Sequence, residues 1–317
     1  MNIFKSLLVA LKGFGMGAAN VVPGVSGGTI ALLTGIYGEI IDSLNSVLEP
    51  ATWKALFKGN FKEFWKRIHG TFLVALAIGV FASILSLAKL MEYVIVYHPV
   101  QTWAFFFGLI IASSIYMLID IKKWKFTDVI WTIIGIGLGI VVCTLSPTQT
   151  PDDWWFIFIC GAIAICTMIL PGISGSFILV ILSKYEYIMG AISDLNWPVL
   201  IVFCFGCLVG ILAFAKFLHW LLAKCERQTM LVLVGFVIGS LIKVWPWSDM
   251  GTVAKAHYLA AGQSMELAEQ SVNTLMQSGQ VVSQTVNMHY TGAILFCILG
   301  IVLVCGLEML GHKKKAE

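Results

Sequence analysis

The sequence predicts an all-α polytopic membrane protein made of two inverted repeats, each consisting of a re-entrant helical hairpin and three transmembrane helices. Three observations support this fold class. Apolar residues make up 59% of the 317 residues and charged residues only 12%, whereas soluble domains are about 25% charged. A motif of proline, glycine and serine occurs twice in the chain. Basic residues are concentrated in alternate loops, as expected for a chain that crosses a bilayer several times.

Long segments without charged residues define the membrane spans. A transmembrane helix needs about 20 mainly apolar residues, and the mean hydropathy of the chain is high, at +0.90. We therefore predict six spans, at about 71–90, 101–120, 128–146, 199–222, 229–245 and 290–310.

An internal repeat relates the two halves of the chain. The stretch "PGVSGGTIALLTGIYGEII" begins at Pro23 and "PGISGSFILVILSKYEYIM" begins at Pro171, which gives a first offset of 171 − 23 = 148. Farther along, "GVFASILSLAK" ends at Lys89 and "GCLVGILAFAK" ends at Lys216, which gives a second offset of 216 − 89 = 127. Because two blocks recur in the same order, chance similarity is a poor explanation, and we predict two homologous halves.

The repeat sets the predicted domain boundaries. The first repeat covers residues 1–150 and opens with a re-entrant hairpin at about 4–44. The second covers residues 151–317 and opens with a hairpin at about 154–193.

The distribution of lysine and arginine predicts the orientation of each half. The segment 45–70 contains five lysine or arginine residues, so we place it in the cytoplasm. The segment 246–289 contains one lysine, Lys255, and no arginine, so we place it outside. Both chain termini are then cytoplasmic. Three spans per half is an odd number, so the second half must be inverted relative to the first, and the two hairpins open to opposite faces.

The two motifs break the backbone inside apolar segments, which favours a buried polar site. Non-helical backbone is tolerated at membrane depth only where protein or a wet cavity satisfies it. Proline ends a helix, glycine permits a tight turn, and Ser26 and Ser174 are predicted to cap the short helix that follows. The amides of such a helix start attract phosphate or carboxylate. The alternative is a helix kink packed by small residues; two copies in inverted halves favour the anion site.

The candidate binding residues belong to these two motifs. They are Asn20, Pro23, Gly24, Ser26, Gly27, Gly28 and Thr29 in the first hairpin, and Pro171, Gly172, Ser174, Gly175 and Ser176 in the second.

Four charged residues outside the motifs are further candidates. Lys89 and Lys216 fall near opposite membrane faces, where each would hold a headgroup phosphate or simply extend to the interface. Glu39 and Glu186 follow the two motifs, near the end of each hairpin, where each would carry a proton or simply be solvated at the interface. We predict no metal site, no cofactor and no nucleic-acid partner, because the sequence contains no corresponding motif.

The segment 53–68 has the pattern of an amphipathic helix at the membrane surface. Aromatic and aliphatic residues share one face, and Lys54, Lys58, Lys62 and Lys66 recur every four residues beside it. Such a helix lies on an anionic leaflet. It either anchors the protein or also gathers anionic lipid, and anionic membrane lipids are therefore expected partners.

The pair "NVVPGVSGGTIALLTGIYGEIIDSL" and "MILPGISGSFILVILSKYEYIMGAI" resembles the bacterial polyprenyl-phosphate transporter family (PopT) over nearly the whole chain. The resemblance implies a flippase, not an enzyme, that returns undecaprenyl phosphate from the outer to the inner leaflet of the bacterial cytoplasmic membrane for cell-wall and surface-glycan synthesis. Proton coupling and a homo-oligomer remain open. The second motif departs from the first, with "SGSF" for "SGGT" and Met168 in place of Asn20, so the hairpins need not contribute equally.

The main alternative is a membrane undecaprenyl-pyrophosphate phosphatase of the BacA type. Those enzymes also use inverted hairpins, and one of their motifs resembles PG-x-S-R-S-G. Here the residues after Ser26 and Ser174 are Gly27 and Gly175, and neither hairpin contains an arginine. Because arginine is the residue that clamps phosphate groups with two hydrogen bonds, phosphatase chemistry is not expected.

Overall fold

The computed structural model describes residues 3–21, 26–119, 121, 123–278 and 286–313, and all regular secondary structure in these residues is helical. The helices of the first repeat are α1 (Ile3–Val21), α2 (Gly27–Leu33), α3 (Tyr37–Ser46), α4 (Pro50–Phe57), α5 (Phe61–Arg67), α6 (Gly70–Tyr97), α7 (Pro99–Ile119) and α8 (Phe126–Thr144). Those of the second are α9 (Trp154–Ile169), α10 (Gly175–Ile181), α11 (Tyr185–Ser193), α12 (Trp197–Val244), α13 (Met250–Ala260), α14 (Met265–Gln277) and α15 (Tyr290–Lys313).

Several helices have the length and composition of membrane spans, as the predicted polytopic class requires. Within the described residues, four qualify outright, and a bent pair, α10 with α11 at 111°, would make a fifth. The four are Gly70–Leu87, Pro99–Ile119, Phe126–Thr144 and Trp197–Val244, while Trp154–Ile169 and Tyr290–Gly306 are shorter apolar helices. The chain is therefore a multi-pass membrane protein.

Two predicted loops are shorter than expected. The helix α6 runs to Tyr97 and α7 starts at Pro99, so only His98 separates them. Proline suits the first turn of a helix but pushes the residue before it out of helical geometry. The predicted spans 199–222 and 229–245 form the single element α12, interrupted only at Cys225, whose φ of −138° and ψ of 47° are non-helical. The breaks at His98 and Cys225 are related by the second offset of the repeat, since 225 − 98 = 127.

Helix boundaries elsewhere follow the same two offsets. The short helices α2 and α10 start at Gly27 and Gly175, which are related by the first offset. The long helices α6 and α12 start at Gly70 and Trp197, which are related by the second. The repeat found in the sequence therefore extends to the secondary structure.

The packing of each hairpin on the following long helix is repeated as well. Gly79 of α6 lies against the carbonyl oxygen of Ala10 in α1, and Gly206 of α12 lies against that of Phe158 in α9. A β-carbon at either glycine would overlap the carbonyl oxygen, so both crossings need glycine. Ala10 and Phe158 are related by the first offset of 148, and Gly79 and Gly206 are related by the second offset of 127. The two helix crossings are therefore equivalent in the two repeats.

The chain divides into two compact units. The first comprises Met1–Ser86 and Trp124–Gly239 and contains both hairpins. Inside it, α8 and α12 approach closely where Gly135 packs on Gly235, and Arg227 binds the buried carboxylate of Asp128 through two hydrogen bonds, of 3.1 and 2.5 Å.

The second unit comprises Leu87–Lys123 and Ser240–Glu317. Its core forms where α7 packs with α15 and α13, with Val100, Ala104 and Ala254 buried between them. The predicted external segment 246–289 contains the helices α13 and α14, which are linked by an ion pair between Lys255 and Glu269.

The amphipathic segment is two helices, so the prediction of one continuous helix over 53–68 was wrong. Gly59 adopts a left-handed φ of 74° and ends α4, as glycine commonly does after a helix. The side chain of Asn60 then accepts a hydrogen bond from the amide of Glu63 at 3.2 Å and starts α5. The aromatic residues still face outward, with Phe57 84% and Phe61 59% exposed.

Candidate functional site

The two repeated motifs meet inside the first unit. The hydroxyl of Ser26 donates to the carbonyl oxygen of Leu170 at 3.2 Å, and the amide of Gly172 donates to the hydroxyl of Thr29 at 2.7 Å. A β-carbon on Gly28 would lie 2.6 Å from the carbonyl oxygen of Ile169. The turns are thus in direct contact, and the structure brings Ser26, Gly28 and Thr29 of the first hairpin against residues 169–172 of the second.

The first turn is closed on itself. Asn20 accepts a hydrogen bond from the amide of Gly27 at 2.8 Å, and Ser26 accepts one from the amide of Gly28 at 3.1 Å. The predicted cap by Ser26 is therefore confirmed. Ser26 and Thr29 are only 2% and 1% exposed, so these two hydroxyl groups present little polar surface. Pro23 and Gly24 lie outside the described residues.

The second turn is more open. Ser174 occupies the cap position of α10 but makes no hydrogen bond to the helix amides; its hydroxyl is 2.7 Å from that of Ser176. The predicted cap by Ser174 was wrong, since a serine replaces Gly28 at the equivalent position and its hydroxyl competes for the bond. Ser174 is half-buried and Ser176 is exposed, so the second turn has accessible hydroxyl groups.

The remaining residues of the second motif shape the turn. Pro171 and Gly172 are buried, and Gly172 has a φ of 97°, which glycine adopts readily. Gly175 packs against α9, because a β-carbon there would lie 2.6 Å from the carbonyl oxygen of Ala164 and 2.7 Å from the side chain of Met168.

A lysine stabilises the far end of each hairpin, a feature that the sequence analysis missed. Lys12 donates to the carbonyl oxygen of Thr34 at 2.6 Å. Lys184 is 3% exposed and donates to the carbonyl oxygen of Thr150 at 2.6 Å, with the carboxylate of Asp152 at 2.7 Å. The signal that identifies Lys184 is its position as the first charged residue after the second motif.

Both acidic side chains on α3 pair with histidines. Glu39 lies 3.5 Å from the ring of His69, and Asp42 lies 2.9 Å from that of His219. These pairs could not be predicted from the sequence, because the histidines come from distant parts of the chain. Glu186, the other predicted proton carrier, is exposed and has no ion pair within the described part of the chain.

The two predicted headgroup lysines are exposed on long helices. Lys89 is on α6 and Lys216 is on α12, and neither has an acidic partner in the part of the chain that the structure describes. In the same residues, no group of three or more His, Cys, Asp or Glu side chains is arranged to hold a metal ion.

Comparison with known proteins gives a consistent result. The family described as VCA0040-like, undecaprenyl phosphate translocase-like, matches residues 16–261. A protein of Vibrio cholerae serotype O1 named polyprenyl-phosphate transporter is 37% identical over 303 residues, which cover 96% of each chain. A protein of Staphylococcus aureus with the same name is 37% identical over 264 residues, covering 78% of this chain and 88% of the relative. No solved structure matches the chain.

Proposed function

The chain belongs to the undecaprenyl phosphate translocase-like family, and we propose that it is a transporter that moves a polyprenyl phosphate across the membrane. The family match and the names of the Vibrio and Staphylococcus relatives support a transporter, not an enzyme. The absence of arginine from both hairpin motifs argues in the same direction, since it removes the clamp that pyrophosphate hydrolysis would need.

The proposed cargo is undecaprenyl phosphate, moved from the outer to the inner leaflet of the bacterial cytoplasmic membrane. This carrier lipid is consumed inside as cell-wall and surface glycans are built and is released outside, so it must return for reuse. The family description supports the choice of lipid; the direction follows from the physiological need.

We propose that the two repeats are inverted. Matching helix boundaries and matching helix crossings support the repeat itself, and the alternation of basic residues supports its inversion. Inverted repeats with interrupted helices form the substrate site of many secondary transporters near the bilayer midplane.

The contact between the two turns is the proposed headgroup site. The hydrogen bond from Gly172 to Thr29 is the observation that carries this proposal, since it joins the two motifs into one polar region within apolar helices. Ser174 and Ser176 would provide the accessible hydroxyls, while the buried first turn holds the second in position. The prenyl tail would remain in lipid during transport.

Proton coupling is the proposed driving force, with Glu39 as the carrier. An anion moving inward opposes the membrane potential by about 2.3 kcal/mol per charge per 100 mV. Protons moving inward with the phosphate would cancel this opposition, since each proton offsets one negative charge. The pairing of Glu39 with His69 supports the proposal, because both groups exchange protons and they lie 3.5 Å apart.

Reconstitution into liposomes tests the proposed function. The accessibility of undecaprenyl phosphate in each leaflet would be followed over time, with the double variant Ser174→Ala/Ser176→Ala beside the wild type. The matched control is Ser193→Ala, whose exposed hydroxyl bonds only to Met189 of its own helix. Transport in the wild type and control, with a marked loss in the double variant, supports both function and site. Hydrolysis of undecaprenyl pyrophosphate without transport of the monophosphate would instead establish the phosphatase.

A further inference from the structure

A groove of about 630 Å³ borders the first hairpin, between α5 and the start of α6. It lies entirely within the first compact unit. Its walls include Lys62, Glu63, Trp65 and Lys66 from α5, His69 from the turn that follows, and Glu39 from α3. The groove therefore combines basic groups, an aromatic ring and a helix of the hairpin.

The charges around the groove leave two ammonium groups uncompensated. The guanidinium group of Arg67 forms an ion pair with the carboxylate of Glu63 at 2.9 Å. A ring nitrogen of His69 lies 3.5 Å from the carboxylate of Glu39. Lys62 and Lys66 have no acidic partner within the described residues. Being four residues apart on one helix, they project from the same face. Lys62 and Lys66 thus offer the groove two adjacent ammonium groups as hydrogen-bond donors.

The aromatic wall of the groove is held in place. The indole of Trp65 donates to the hydroxyl of Thr71 at 3.1 Å, and the ring lies so close to Gly70 that a β-carbon there would overlap it. The rest of the segment exposes Phe57 and Phe61, the arrangement of a helix lying at a membrane surface. A segment lying at the surface in this way would place the groove at the level of lipid headgroups.

We propose that this groove binds the phosphate monoester headgroup of a lipid. A monoester carries a charge of about −1.5 to −2 at neutral pH, which matches two ammonium groups, whereas the phosphodiester of an ordinary anionic phospholipid carries a single charge. The inference rests on the proposed function, because a polyprenyl phosphate is the monoester lipid that such a transporter handles. Glu39 lies on α3 and connects the groove to the first hairpin, so the groove would receive the headgroup beside that hairpin.

Ligand binding to the purified full chain in neutral detergent tests this proposal. The probes are farnesyl phosphate as the monoester, short-chain phosphatidylglycerol as the diester and farnesol as the tail alone. The double variant Lys62→Gln/Lys66→Gln is compared with Lys54→Gln/Lys58→Gln, which removes the same charge from the same segment outside the groove. All four lysines are exposed, so thermal unfolding should stay unchanged.

The expected result is a loss of affinity for farnesyl phosphate of about tenfold or more in the groove variant, the effect of losing hydrogen bonds to a charged group. The control variant should bind like the wild type, and farnesol and phosphatidylglycerol should bind weakly to all. Equal losses in both variants, or equal binding of the diester, would overturn the proposal.

The proposed binding at the groove and the proposed transport function can be refuted independently of each other. A chain that binds farnesyl phosphate through Lys62 and Lys66 but moves no lipid in liposomes would keep the groove and refute the proposed function. A chain that transports undecaprenyl phosphate while the groove variant binds farnesyl phosphate normally would refute the groove alone.

Discussion

The amide of Gly172 donates a hydrogen bond of 2.7 Å to the hydroxyl of Thr29 and so ties the second turn to the first. The second motif has no side-chain hydroxyl at the equivalent position, because Phe177 occupies the position that the first offset of the repeat relates to Thr29. The two hairpins thus form an unequal pair, in which the buried first turn supports the more exposed second one.

Removing the acceptor of this bond should destabilise the contact between the hairpins. Thr29→Val keeps the shape of the side chain but leaves the buried amide of Gly172 unsatisfied, which costs about 1–3 kcal/mol. We expect a lower unfolding temperature and slower transport. Thr167→Val is the matched control, since that hydroxyl is buried and its bonds within the described residues go to Ile163 and Ala164 of its own helix. Equal effects of the two substitutions would contradict the role of Thr29.

A side chain at Gly28 should push the hairpins apart. In Gly28→Ala the β-carbon would lie 2.6 Å from the carbonyl oxygen of Ile169, whereas in Gly38→Ala the β-carbon has no heavy atom within 4 Å. The carbonyl group of Ile169 could move away from this β-carbon only if α9 shifted. We therefore expect Gly28→Ala to lower stability and transport. Gly38→Ala should leave both unchanged or raise stability slightly, since alanine favours helix more than glycine does. The two variants are compared by their thermal unfolding in detergent and by their transport rates in liposomes. Normal transport by Gly28→Ala would argue against direct contact of the turns.

The sequence was sufficient to predict where two of the short helices begin, because helix ends are set locally. Ser26 and Ser174 were predicted to precede short helices, and these helices begin at Gly27 and Gly175. The segment 53–68 was harder, since its amphipathic pattern continues through Gly59 and only the left-handed backbone there separates two helices.

Long-range pairing within the site was beyond prediction. That Thr29 meets Gly172, and that Asp42 meets His219, depends on how distant helices pack, and no local pattern encodes it. The different behaviour of Ser26 and Ser174 as caps shows the same limit, because the outcome depends on a competing hydroxyl at Ser176.

Substitutions in the turns that follow α2 and α10 should change the stability of the protein in opposite directions. Gly35 and Ser183 are equivalent residues and both have a left-handed φ, of 70° and 52°. A residue with a side chain is disfavoured there by about 1–2 kcal/mol relative to glycine. Gly35→Ser should therefore destabilise the protein, and Ser183→Gly should stabilise it by a smaller amount, offset by the greater freedom of glycine when unfolded. The unfolding temperature measures both, and changes of the same sign would contradict the equivalence of the turns.

Equivalent positions of inverted repeats should face opposite sides of the membrane. Tyr97 and Lys224 are related by the second offset of the repeat, and both are exposed. In a background without the eight native cysteines, we expect Tyr97→Cys to react with an impermeant thiol reagent added outside and Lys224→Cys to react only after the membrane is opened. Reaction of both from one side would mean that the repeats are parallel.

Inward transport should accelerate as the outside becomes more acidic, and Glu39 should carry part of this dependence. Protonation of the phosphate, whose second pKa is near 6 by analogy with other monoesters, lowers the charge that must move against the membrane potential. A proton taken up by Glu39 beside His69 would lower it further. Glu39→Gln cannot exchange a proton, so its transport rate should change less with outside pH than that of the wild type.

Asp194→Asn is the control, because it removes an exposed carboxylate that has no ion pair in the described residues. The measurement is the initial rate of undecaprenyl phosphate transport in liposomes at several outside pH values with a fixed inside pH. If wild type and Glu39→Gln show the same pH dependence, Glu39 is not the carrier; if neither rate depends on pH, the proposed proton coupling is wrong.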